Sequence, residues 1–347
     1  MDLFDSARLR RAFELAAGHH THPNPGVGAV VVKDDVVVAE GSHEGPGTDH
    51  AEVVALAGAG DSARGAEMYV SLEPCSHQGL TPPCVDAVLD AGITRVVIGI
   101  EDPDSRVSGA GIARLREAGL EVVVSDLSGE AEAVDPAYFH HRRTGLPRVT
   151  AKFAMTLDGS VAAADGTSRW ISSPEAREDA HILRSMVDAV VVGAGTLRVD
   201  DPRLDVRLEG YEGPQPRPVI IAGSGPLPPG SIIWERNPVV VTTGGVSAPG
   251  GELLEIAGDG APDPAKVVAA LGEMGYLDIL VEGGPTLLAA WWSAGVISRG
   301  FAYIAARIGG GAGLPPLGGT FGNIDEARAV EIFDVQSVGP DVRIGFQ

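Results

Sequence analysis

His50-Ala51-Glu52, Pro74-Cys75 and Cys84 bring together residue types that activate water. One imidazole and two thiols can ligate a d¹⁰ metal such as Zn2+, and three protein ligands leave a fourth coordination position open. Bound zinc lowers the pKa of water to about 7. Glu52, two positions after the histidine, is the proton shuttle such a site requires. The combination suits hydrolytic deamination, where water attacks an sp² ring carbon bearing an amino group. The chain has 2 cysteines, and both fall in this pattern. The same residues admit a closed structural zinc site with His77 as spare ligand, two buried thiols, or a disulfide in an oxidising compartment.

Two further groups carry chemistry. His22-Pro23-Asn24-Pro25-Gly26-Val27-Gly28 precedes an apolar run. Its prolines and glycines fix a turn that a ligand can approach, and Asn24 can orient an amide-like ring edge. Gly193-Ala194-Gly195-Thr196 follows one apolar run, and Gly284-Pro285-Thr286 sits where a run gives way to a helical pattern. A glycine before a helix N-terminus receives phosphate. Arg198 occupies the third place of a Gly-x-Gly-x-x-Gly, so the dinucleotide fingerprint is absent and turn glycines are the competing reading.

The elements that must hold these residues form two α/β series. In the first, a helix is predicted over 3–17, apolar strands over 27–32 and 36–39 around an Asp34-Asp35 turn, and a helix over 50–57. A strand over 68–72, a helix over 82–90, a strand over 95–100, a helix over 111–117 and a strand over 120–124 follow. Residues 144–147 read as a linker, giving domains 1–145 and 146–347. The second series has strands over 149–155, 189–192, 219–222, 239–241, 279–281 and 301–304, with helices over 174–186, 265–274 and 285–294. Their alternation predicts a largely parallel sheet with helices on both faces.

Composition narrows the function. Two domains are expected of 347 residues. A formal net charge of −21 repels a phosphate backbone, which argues against nucleic acid as the main partner. No apolar run approaches the ~18 residues of a membrane span. The N-terminal stretch is patterned as an amphipathic helix and not as an export signal. A reducing cytoplasm and metal ligation by the cysteines are therefore expected.

The spacing of His22–Gly28, His50-Ala51-Glu52, Leu72-Glu73-Pro74-Cys75-Ser76-His77 and Thr81-Pro82-Pro83-Cys84 resembles the pyrimidine deaminase domain of riboflavin biosynthesis. The resemblance implies a three-layer α/β/α domain of the cytidine-deaminase-like fold. It also implies zinc on His50, Cys75 and Cys84, proton transfer by Glu52, and substrate contact by Asn24 and His77. The second half resembles the reductase domain that accompanies this deaminase, with a dihydrofolate-reductase-like α/β fold. Lys152, Leu157-Asp158-Gly159, the run from Ser168 to Ser172, Asp188 to Thr196, Asp200-Asp201-Pro202 and Glu282 to Thr286 carry it.

By that resemblance NADPH lies on Ala154, Trp170, Thr196, Asp200, Gly284, Pro285, Thr286, Leu287, Leu288, Ala289 and Ala290. Lys152, Ser168, Arg184, Leu204, Arg207 and Glu282 hold the sugar phosphate substrate. Asp200, Glu282 and Lys152 are the polar groups available to handle protons. The expected enzyme is bifunctional: zinc-dependent deamination of a phosphorylated diaminopyrimidine, then NADPH-dependent reduction of its ribosyl group to ribityl. A homo-oligomer, dimer or tetramer, is expected. The alternative is a zinc deaminase whose second domain only binds a nucleotide or serves assembly. Two positions depart from the family pattern. Leu80 stands where Lys or Arg is usual, and Asp102-Pro103-Asp104-Ser105 where Asp-Pro-Asn-Pro is more frequent. Arg106 and His43 are candidates to replace the missing cation. Residues 208–260 match only loosely.

Overall fold

The computed structural model describes residues 3–17, 20–79, 81–223, 226–310, 313–317, 323, 325 and 327–347. The chain divides into two compact units, Met1–Gly145 and Leu146–Gln347.

The first unit contains α1 (Leu3–Ala16), β1 (Gly28–Lys33), β2 (Val36–Ser42), α2 (Ala51–Ala59), β3 (Glu67–Val70), α3 (Cys84–Asp90), β4 (Arg95–Ile98), α4 (Ala110–Glu117), β5 (Glu121–Val124), α5 (Ser128–Val134) and α6 (Pro136–Thr144). Its sheet runs β2-β1-β3-β4-β5, with β1 antiparallel to both neighbours and the rest parallel. The unbroken apolar run of β1 follows from burial on both faces. Ala29 and Val31 pack with α2, α3 and α4, while Val30 and Val32 pack against Leu9 and Phe13 of α1. The β1–β2 turn is Asp34-Asp35, both at positive φ, as a two-residue hairpin requires.

The second unit contains β6 (Arg148–Thr156), α7 (Pro174–Ser185), β7 (Ala189–Gly193), α8 (Ala194–Asp200), β8 (Arg217–Ile221), β9 (Val239–Thr242), β10 (Glu252–Glu255), α9 (Pro264–Glu273), β11 (Asp278–Val281), α10 (Pro285–Ser293), β12 (Arg299–Ala305), β13 (Ile332–Val338) and β14 (Asp341–Phe346). The sheet order is β10-β9-β8-β7-β11-β6-β12-β14-β13. Every pairing from β10 to β12 is parallel, and β14 and β13 close the edge antiparallel. Two cores cover the two faces. Val191 and Ile279 pack with α9 and α10, while Val190 and Leu280 pack with α7 and α8.

Several boundaries differ from the sequence expectation. His50 caps α2 and is not its first residue, and Pro82 and Pro83 precede α3 and do not open it. β4 stops at Ile98, two residues short of the expected end, and the next position admits only glycine, since a Cβ there would meet Ser71 O at 2.2 Å. The helices α5, α6 and α8 and the strands β10, β13 and β14 were not anticipated.

Candidate functional site

In the first unit the metal-ligand set converges from three elements. His50 precedes α2, Cys75 lies after β3, and Cys84 opens α3. Their ligand atoms lie within 4.8 Å of one another. His50 Nδ1 is 3.0 Å from Cys84 Sγ and 3.6 Å from Cys75 Sγ, so Nδ1 is the nitrogen that faces the sulfurs. The Cys84 backbone N–H donates to Cys75 Sγ at 3.3 Å. Contacts from Cys84 and His50 hold the Cys75 thiol down at about 4. The same Cys75 sulfur, together with burial, drives the Cys84 thiol up. Two sulfurs this close ionise together only with a cation between them. An N/S₂ donor set supplies that partner in Zn2+. Both cysteines are free of a disulfide.

Glu52, in the first turn of α2, is 3% exposed. Burial, reinforced by the Cys75 charge, pushes its carboxyl up to about 7. It lines a cavity of about 180 Å³ together with His50, Cys75, Asn24, His43 and His77. Asn24 Nδ2 donates to His43 Nε2 at 3.1 Å, and His43 Nδ1 donates to Asp49 O at 3.1 Å. His43 thus serves to hold the Asn24 amide.

Two positioning residues escaped the sequence reading. Glu73, 4% exposed, accepts four backbone N–H groups: Asp102 at 3.2 Å, Gly109 at 2.9 Å, Gly111 at 2.8 Å and Ile112 at 3.1 Å. It ties the Cys75 loop to the start of α4. Asp135 caps α6 through the Tyr138 N–H (3.0 Å) and also accepts from Gly26 N (3.1 Å) and pairs with His22 (3.1 Å), which pins the Asn24 turn. Asp135-Pro136 is a readable N-cap signature that predicts this helix. The four donors on Glu73 come from backbone far along the chain and leave no local signal. Leu80 lies outside the described residues.

In the second unit a cleft of about 420 Å³ opens where β6, β7 and β11 end. Lys152, Ala154, Ser168, Thr196, Asp200, Glu282, Gly284, Pro285, Thr286, Leu287 and Leu288 line it. Gly284 caps α10, and a Cβ there would stand 3.7 Å from Thr196 Oγ1, in ordinary contact. A side chain at 284 would therefore fit the fold and project toward the cleft. Ala289 and Ala290 continue α10 away from that lining. Trp170 is 60% exposed and lines a neighbouring cavity of about 440 Å³ that shares Ser168.

Glu282 accepts from Arg184 at 2.6 and 3.0 Å, and Lys152 Nζ lies 3.8 Å away. Burial would raise the Glu282 carboxyl, but Arg184 and Lys152 outweigh it and hold it at about 2. Burial, with Arg184 nearby, lowers the Lys152 ammonium. Arg184 also donates to Asp205 O at 3.1 Å, and Arg207 pairs with the Asp205 carboxylate. Leu204, 2% exposed and at φ 53°, packs its side chain into the core, leaving only backbone to face a ligand. Arg169 pairs with Asp200 at 3.0 Å. Among the described residues no helix is long and apolar enough to cross a membrane.

Comparison with known proteins is decisive. Residues 147–344 match the family model of the RibD C-terminal domain, and residues 4–100 that of the cytidine and deoxycytidylate deaminase zinc-binding region. The riboflavin biosynthesis protein RibD of Aquifex aeolicus is 39% identical over 355 residues, covering 99% of this chain and 98% of its own. The chain belongs to the RibD family. RibD of Mycobacterium tuberculosis is 40% identical over 328 residues, 93% of this chain and 90% of its own. The solved structure of Acinetobacter baumannii RibD matches with a TM-score of 0.92 at 33% identity, over 99% of this chain and 98% of that one. The diaminohydroxyphosphoribosylaminopyrimidine deaminase/5-amino-6-(5-phosphoribosylamino)uracil reductase of Thermotoga maritima matches with a TM-score of 0.87 at 31% identity, over 99% and 98%. As a RibD chain it is a bifunctional deaminase and reductase of riboflavin biosynthesis, with a zinc-binding deaminase domain and an NADPH-dependent reductase domain.

Proposed function

We propose that domain 1–145 deaminates the phosphorylated diaminopyrimidine that the Thermotoga maritima enzyme is named for, and that domain 146–347 reduces the ribosyl group of the product. The carrying observation is the meeting of His50, Cys75 and Cys84 beside buried Glu52 in one cavity. Zinc bound by the three ligands supplies Lewis acidity that brings water ionisation near neutral pH. Glu52 takes the proton of the attacking water and delivers protons to the ring nitrogen and the departing amine, which leaves as ammonia. Asn24, oriented by His43, accepts from the ring edge, and His77 closes the pocket over it.

In the reductase domain Ala154, Thr196, Asp200 and the start of α10 would hold NADPH in the cleft, with Trp170, Ala289 and Ala290 at its margins. Bound there, NADPH would supply the hydride for reduction at C1′ of the sugar. Ser168, Arg184, Leu204 through its backbone, and Arg207 hold the sugar phosphate. Glu282, fixed as an anion, orients Lys152, whose weakened ammonium is the better proton donor. Two free thiols fit a cytoplasmic location. The apolar edge strand β13, with Ile332 57% and Val335 62% exposed, supports a homo-oligomer, dimer or tetramer. Measuring zinc content, ammonia release and NADPH oxidation on one purified chain tests the reading. Either activity missing from metal-loaded protein would overturn the corresponding half.

A further inference from the structure

Arg106 and Arg142 are the two arginines among the described residues that line the deaminase cavity, and no lysine joins them. They meet on one carboxylate. Arg106 donates to Asp104 through Nε at 2.9 Å and Nη2 at 2.5 Å, and Arg142 Nε lies 3.3 Å from Asp104 Oδ2. Asp104 is 9% exposed, and its carboxyl is held at about 2, chiefly by Arg106. Arg142 is 19% exposed and stacks over the Tyr138 ring at 4.8 Å. Its Nη2 donates to Pro23 O at 3.2 Å and its Nη1 meets His141 Nδ1 at 3.1 Å, while its buried Nε is held to Asp104 by charge and not by a hydrogen bond. Arg106 keeps its outer face in solvent at 72% exposure, and no described residue bonds its Nη1. Asp102, the other acid on this wall, is turned to the Tyr138 hydroxyl at 3.0 and 3.1 Å.

This arrangement has the form of an anion receptor. One guanidinium is anchored and stacked, the other exposed, and Asp104 fixes both so that little side-chain freedom is lost on binding. His43, the remaining basic group singled out in the sequence, is engaged with Asn24 and the Asp49 carbonyl. We infer that Arg106 and Arg142, set by Asp104, receive the phosphate of the deaminase substrate. The inference rests on the proposed phosphorylated pyrimidine and adds how that phosphate is recognised.

Arg106→Gln and Arg142→Gln should each raise KM for the phosphorylated substrate about 10–150-fold, the worth of a charge-assisted contact. Turnover of the dephosphorylated nucleoside should be unchanged, and Arg106→Lys should restore most of the lost affinity. An equal loss on both substrates, or no loss on either, overturns the inference. A second measurement is independent of turnover. Phenylglyoxal labelling of the full chain, read by peptide mass spectrometry, should be blocked at Arg106 by inorganic phosphate. Arg10, 53% exposed on α1, should react as before. Unprotected Arg106 sinks the subsite even in a chain that releases no ammonia. Absent ammonia release with Arg106 protected would overturn the proposed reaction and leave the phosphate subsite standing.

Discussion

Glu52 and Glu282 are both buried acids, and their surroundings drive them in opposite directions. Glu52 has little compensating positive charge and is pushed up to about 7 by burial, whereas Glu282 sits between Arg184 and Lys152 and is held at about 2. Glu52→Gln should keep the metal and lower deamination by about 10²–10⁴-fold, the usual worth of a proton carrier. Ammonia release at the unmodified rate would reject the role. For Glu282 the sign is fixed by a folded pKa below the ordinary 4.5. Its stabilising contribution, on the order of 3 kcal/mol, is full above pH 4.5 and is lost as pH falls through about 2. Denaturant unfolding of the full chain and of Glu282→Gln, followed in the second unit, should show a gap that closes over this window. The metal-ligand cluster was legible in sequence because ligand chemistry demands those residue types. Glu73 and Arg142 were not, and Asp135 was readable only as a helix cap, because the remaining partners are backbone atoms or side chains that only the fold brings near.

At the scale of elements, α4 begins on Glu73. Its carboxylate stands where a helix N-terminus leaves donors unsatisfied. Gly111 belongs to the same joint: a Cβ there would lie 2.1 Å from Pro74 O, one residue before the ligand Cys75. Glu73→Gln turns an amide N–H₂ against two of the four donors. It should cost about 1.5–3 kcal/mol, lower Tm of the first unit by about 3–10 °C, and weaken zinc retention. A variant of unchanged Tm and metal content would show that the joint is held elsewhere. The central strands were readable because burial on both faces makes continuous apolar runs. β10 reads Glu-Leu-Leu-Glu and β13 is exposed at most positions, so these edge strands carry no such run. α5 and α6 are too short and polar for a clear period.

The molecule as a whole keeps two chemistries in two units, divided after Gly145. The metal ligands all lie in the first, and the cleft of the second contains none of them. Removing zinc with a chelator should therefore abolish ammonia release and leave NADPH oxidation intact when deaminated product is supplied. Loss of both activities on chelation would mean that reduction needs the metal too. The charge of −21 bears on this scale as well. An anionic ligand entering such a field depends on local guanidinium groups, and Arg106 and Arg142 stand on the wall of the deaminase cavity.

Because the chain's 2 cysteines are both in the ligand set, its thiol chemistry is a direct gauge of metal loading. A colorimetric thiol reagent sees no competing sulfhydryl anywhere in the protein. Metal-free chains expose two titratable sulfurs to it, and zinc-filled chains expose none until the ion is withdrawn. The rate at which colour develops in the presence of a zinc indicator then reports the off-rate of the ion, with no label introduced. The same economy concentrates oxidative damage: peroxide that joins Cys75 to Cys84 disables the first reaction of the chain and spares the second.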